Sequence, residues 1–106
     1  MQALAPADLP GLRAALMRRG LTLATLLAEV LAGKRPPSLQ QLLNARPGMR
    51  PEEVVRLALE QVESRRRLLD AGDDRFGRCD VCGTALGLTA MHEVPWADRC
   101  HQHAGI

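Results

Sequence analysis

The last twenty-nine residues, RCDVCGTALGLTAMHEVPWADRCHQHAGI, carry every cysteine and every histidine of the chain. Two residues separate Cys79 from Cys82, a spacing that lets both sulfurs turn toward one point, and Gly83 lets the chain bend so that backbone N–H groups face them. Cys100 and His103 repeat the two-residue spacing after seventeen intervening residues, enough for a short ribbon or loop to carry the second pair back to the first. Three sulfurs and one imidazole nitrogen suit a tetrahedral Zn²⁺ ion, with Zn–S near about 2.3 Å and Zn–N near about 2.0–2.1 Å. Four protein ligands leave no open coordination position, so the expected role of this one ion is structural. His103 matches the spacing best, while His101, beside Cys100, and His92, within the intervening segment, are the other candidates for the fourth ligand. A redox Cys-x-x-Cys would open a helix after a strand, and nothing before Cys79 reads as a strand.

An odd number of cysteines argues against a secreted disulfide framework and for a reducing compartment where thiols serve as ligands. With 106 residues and only Phe76 and Trp96 as aromatics, the chain has a thin stability margin that a metal staple would widen. No apolar run approaches the roughly 20 residues of a membrane span, and the N-terminus lacks a basic-then-apolar leader pattern. The expectation is a cytoplasmic, membrane-free protein. Residues 1–50 hold seven basic and two acidic side chains, residues 51–106 seven and ten, a polarity that could orient the molecule on a partner.

Before the cysteines the pattern is helical. Asp8 ahead of Leu9-Pro10 reads as a helix cap, and Leu9, Leu12 and Leu16 recur at helical spacing. Gly20 could stop this helix or merely interrupt it, since Leu23, Leu26, Leu27, Val30 and Leu31 continue a wide apolar stripe toward Gly33. The excess width of that stripe leaves a homodimer open. KRPP must then break the helix. Ser38-x-x-Gln41 reads as a capping box for a short helix ended by Pro47-Gly48. A longer helix should run from Pro51 to about residue 71, with Glu52 and Glu53 at its start, Gly72 as its stop and an apolar face of Val54, Val55, Ala58, Leu59, Val62 and Leu69. Glu52 with Arg56 and Glu63 with Arg67 are spaced for ion pairs, and Arg65-Arg66-Arg67 reads as solvated charge. Trp96 is expected to pack the finger against the helix 51–71. The fold expected is mainly α: a helical hairpin or bundle over residues 1–72 followed by a small zinc-ribbon-like finger over 73–106.

The pattern Phe76-Gly77-x-Cys79-x2-Cys82-Gly83-x2-Leu86-Gly87-x7-Pro95-x-Ala97-x2-Cys100 resembles the C-terminal zinc finger of the DksA/TraR family. The match covers residues 72–103, and a helix such as 51–71 precedes the finger in members of that family. His103 stands where the family has its fourth cysteine, and Ala90 where an arginine is common. The resemblance implies a transcription regulator that binds RNA polymerase directly. Larger members insert a helical hairpin with tip aspartates into the secondary channel of the polymerase. A hairpin folded at KRPP would put Arg35, Pro36, Pro37, Ser38 and Leu39 at the tip, with no aspartate among them. Glu63, Val94 and Ala104 align with the basic residues that help some members hold guanosine tetraphosphate, so no nucleotide effector is implied here.

Two other readings of the residues compete. GLTLATLL followed by GKRPPSLQQLL resembles the phrasing of helix-turn-helix repressors, and Arg18, Arg19, Lys34, Arg35, Arg46 and Arg50 could contact DNA phosphates. A zinc-stapled protein-interaction domain with some other partner is the third reading. An enzyme is not expected, because no nucleophile and base stand at a recognisable spacing and LAGKRPP lacks the rest of a phosphate-binding loop.

Overall fold

The computed structural model describes residues 4–104. A 3₁₀ turn, Pro6–Asp8, leads into α1 (Leu9–Leu31), followed by α2 (Pro37–Ala45), α3 (Pro51–Asp70) and α4 (Leu88–Glu93). No strand occurs among the described residues, only an isolated antiparallel bridge between Arg78 and Ala85. The expected class, a helical hairpin ahead of a small finger, is what the chain adopts.

α1 passes through Gly20 without a break. The glycine is accommodated because it faces α3, where a Cβ would lie 3.7 Å from Val62 Cγ1, and packing there outweighs its low helix propensity. Asp8 does not cap α1 through its side chain; its carboxylate instead accepts the Ala5 N–H at 3.0 Å and closes the 3₁₀ turn. The expected capping box at Ser38 and Gln41 is also absent. Pro37 takes the first helical position of α2, with Pro36 extended before it at ψ 154, as a residue preceding proline prefers. Ser38 therefore lies inside the first turn rather than ahead of it.

α3 matches its expected span. Pro51 opens it and Glu52 and Glu53 fill its first turn. At the other end Gly72, at φ +65, donates to the Leu69 carbonyl at 3.1 Å while Asp73 N–H reaches the Leu68 carbonyl at 3.0 Å, a Schellman closure that a β-carbon would strain. Glu52 pairs with Arg56 at 2.7 Å. Glu63, however, pairs with Arg66 at 2.8 Å rather than with Arg67.

α1 and α3 run antiparallel, as the Arg13–Asp70 ion pair at 2.8 Å and the approach of Gly20 to Val62 fix. Leu12, Leu16, Leu23, Leu26 and Val30 of α1 face Val54, Val55 and Val62 of α3, and α2 adds Leu39 at the end where the helices turn. Phe76 and Met91, from the segment after α3, join the same core. The turning end bears Lys34, Arg35, Arg46 and Arg50, all exposed.

Candidate metal centre

The segment after α3 is held by its backbone rather than by a sheet. Leu86 N–H donates to the Gly77 carbonyl at 2.8 Å, Cys79 N–H to Thr84 at 2.9 Å and Gly83 N–H to Cys79 at 2.9 Å, which folds residues 77–86 into a narrow loop with Cys79 and Cys82 at its end. Asp80 N–H then donates to the Asp98 carbonyl at 2.8 Å, fastening this loop to the stretch that carries Cys100. His103 N–H reaches the Cys100 carbonyl at 3.0 Å, a single turn that puts both side chains on one side. The interval between the two pairs holds the six-residue helix α4 where the sequence suggested a ribbon or loop; Met91, fully buried on it, ties the interval to the hairpin.

These constraints bring Cys79, Cys82, Cys100 and His103 together, with all four ligand atoms within 4.8 Å of one another. Cys82 Sγ lies 3.8 Å from Cys100 Sγ, and Cys79 Sγ lies 3.6 Å from His103 Nδ1. Two sulfurs about 2.3 Å from one tetrahedral centre are about 3.8 Å apart, and a sulfur and an imidazole nitrogen about 3.6 Å. Cys100 Sγ and His103 Nδ1, at 3.1 Å, are closer than that edge. The donor set and its dimensions fit one metal ion. His92 and His101 are both exposed and outside the cluster, so among the described residues His103 is the histidine placed to serve.

The electrostatics favour sulfur anions at Cys79. Burial pushes its thiol up, but backbone N–H groups of Cys100, Cys82 and Val81 more than offset that and bring it down to about 6. The Val81 N–H is 3.4 Å from the sulfur. Cys100 moves the other way, raised by burial and by the neighbouring Cys79 and Cys82 side chains. A set of crowded sulfurs that resist shared ionisation is the arrangement a cation relieves.

One residue behind the cluster was misread in the sequence. Arg65, taken there as solvated charge, is only 4% exposed, and its Nη2 donates to both carboxylate oxygens of Asp80, at 3.0 and 2.9 Å. Asp80 lies between Cys79 and Cys82, so α3 holds the ligand loop through an ion pair. The hint was present: residue 65 falls three after Val62, on the buried stripe of α3. Arg66 and Arg67 stay on the outer side. Trp96 sits with the guanidinium of Arg19 4.5 Å from its ring centroid and borders a groove shared with Leu57, Ala58 and Gln61 of α3, so it joins the finger to α1 as well as to α3. Arg19 is thereby occupied within the fold rather than available to a DNA phosphate.

No described helix is long and apolar enough to cross a membrane. Comparison of the chain with protein families, with curated proteins and with solved structures finds no match.

Proposed function

We propose that Cys79, Cys82, Cys100 and His103 hold one structural Zn²⁺ ion, and that the chain is a DksA/TraR-type regulator which binds RNA polymerase and is not an enzyme. The observation that carries this reading is the convergence of four donors, three sulfurs and a ring nitrogen, within 4.8 Å of one another on the residue pattern that resembles that family's finger. Zinc is favoured over other ions because soft thiolates with imidazole in a closed four-ligand set are its preferred company. The three unpaired cysteines agree with a reducing, cytoplasmic setting. When bound, the ion supplies cross-linking of two chain segments; the residues themselves orient the hairpin, through Arg65 on Asp80 and through Phe76 and Met91 in the core.

Its manner of binding would differ from that of larger members. No aspartate lies between Asp8 and Asp70, so the turning end offers basic side chains, and its carboxylates at the start of α3, Glu52 and Glu53, are paired with Arg56 and Arg50. The role that fits is occupancy of a protein surface. Metal analysis of the purified protein should return one zinc per chain, and immobilised protein should retain core RNA polymerase at micromolar concentration. Zinc without polymerase retention would leave a zinc-stapled interaction domain for another partner and remove the polymerase claim.

A further inference from the structure

α1 carries two apolar stripes, and the fold uses only one. Ala14, Met17, Leu21, Ala24, Ala28 and Leu31 follow one another at alternating steps of three and four residues, and every one of them is exposed. Leu21 is 71% exposed, Leu31 58% and Met17 50%. This is the a/d spacing of a coiled-coil seam, turned away from the stripe of Leu12, Leu16, Leu23, Leu26 and Val30 that meets α3. A single exposed leucine needs no explanation, but a seam in register along about 26 Å of helix does.

We propose that this seam pairs with the same seam of a second copy of the chain, the two α1 helices lying antiparallel about a two-fold axis between Leu21 and Ala24. The order of sizes along the seam selects that arrangement. With the axis there, Ala14 meets Leu31 of the partner subunit, Met17 meets Ala28 of the partner subunit, and Leu21 meets Ala24 of the partner subunit. Symmetry repeats the three contacts in reverse. Each layer then sets one large side chain against one methyl, the alternation that fills a helix–helix interface without voids. A parallel pairing would instead stack Ala on Ala in three layers and Leu or Met on itself in the other three, leaving gaps beside crowding.

Charge agrees with the same register. Arg18 and Glu29 lie on one flank of the seam, about three turns apart, and neither has an ion-pair partner within its own chain among the described residues. Antiparallel pairing brings that flank against its own copy and places Arg18 within reach of Glu29 of the partner subunit, twice per dimer. On the opposite flank Arg13 is already neutralised by Asp70 at 2.8 Å. A contact one helix wide lies at the low end of stable interfaces, which begin near about 1,200 Å² in total, so association in the micromolar range is expected.

Sedimentation velocity on the full, zinc-loaded chain tests this across a series from low to high micromolar concentration. The expected result is a reversible monomer–dimer equilibrium that Leu21→Glu abolishes. The change sits on an open surface, so circular dichroism and zinc content should be unaltered. Arg18→Glu alone and Glu29→Arg alone should each weaken association roughly ten-fold, two surface pairs being lost per dimer, and the combined variant should restore it. A chain that stays monomeric throughout, or a dimer indifferent to Leu21→Glu, overturns the proposal. A dimer that Leu21→Glu disrupts but that the charge exchange does not restore overturns the antiparallel register.

Discussion

Removing the carboxylate of Asp80 should damage the protein more than removing the guanidinium that binds it. Asp80 keeps 40% of its side chain exposed while Arg65 keeps 5%, and Arg65 Nε and Nη1 already lack an acceptor in their buried positions. Asp80→Ala therefore leaves a whole guanidinium buried beside the ligand loop without a counter-charge. Breaking a buried pair in this way costs about 3–5 kcal/mol, and the lower end applies because one partner is half solvated. For a domain of this size about 3 kcal/mol lowers the melting temperature by roughly 12–20 °C. Arg65→Met is different: it fills much of the same volume, removes the two unpartnered donors, and leaves an aspartate that water can rehydrate. Its loss is the charged contact of Nη2 with both Asp80 oxygens against a gain in apolar burial, a net of about 1 kcal/mol. The double variant should be more stable than Asp80→Ala alone by about 2 kcal/mol, a coupling of about 3 kcal/mol at the upper end for directly touching residues. Urea unfolding at a fixed free-zinc concentration measures all three, since ligation of the folded state otherwise moves the midpoint. If Asp80→Ala proved no more costly than Arg65→Met, or the double variant no better than Asp80→Ala, the ion pair would not be what holds the loop to α3.

Other expectations follow from single contacts. His103→Cys should keep one zinc per chain, whereas His103→Ala should weaken zinc in chelator competition by at least about 100-fold; wild-type affinity in the alanine variant would show that another group supplies the fourth donor. Gly20→Ala should raise stability by about 0.5–1 kcal/mol, because the position is helical and the added carbon meets Val62 at an ordinary 3.7 Å; a lower urea midpoint would contradict this. Gly77→Ala should do the reverse by about 1–3 kcal/mol, since φ is +82 and the new carbon would stand 2.8 Å from Leu4 Cδ1. Trp96, the only tryptophan, reports on the finger, and chelation should shift its emission to the red as the stack on Arg19 opens; an unmoved spectrum would mean the junction forms without metal.

The parts of the fold that were legible in the sequence are those set by local rules. Pro51 and Gly72 bracket α3 because one fits a first turn and the other a left-handed closure, and both depend only on neighbours in the chain. The Cys79-x2-Cys82 and Cys100-x2-His103 spacing announced the cluster for the same reason. What the sequence left hidden depended on tertiary partners. Gly20 reads equally as a stop or as an interruption until Val62 is placed against it, and Ser38 reads as a cap until Pro37 is seen to start the helix one residue earlier. Arg65 is the clearest case. Three arginines in a row suggest solvent, yet their helical phase differs by about 100° per residue, so one of them had to point inward, and only the position of Asp80 makes that burial tolerable. α4 was missed because six residues carry too little periodicity to declare a helix.

The hairpin of α1 and α3 is clamped at both ends by different means, and that division explains why a finger is fused to it. Two helices packed along one stripe leave part of their apolar surface uncovered, Met17, Leu21 and Leu31 among it, which is marginal for a chain this short. At the turning end the clamp is α2, which packs on α3 and adds Leu39 to the apolar cluster that holds Val30 and Val54. At the opposite end the added helix is the six-residue α4. There Phe76 and Met91 enter the same core as Leu12 and Leu16, held by loops with backbone hydrogen bonds but no sheet among the described residues. A metal would be the compact way to make such loops rigid: bound by the cluster, it would link residues 79–82 to 100–103 at one point, and the Arg65–Asp80 pair would carry that rigidity into α3. The two clamps share no residues, so losing the metal should loosen the Leu12 end first and leave Leu39 and Val54 packed.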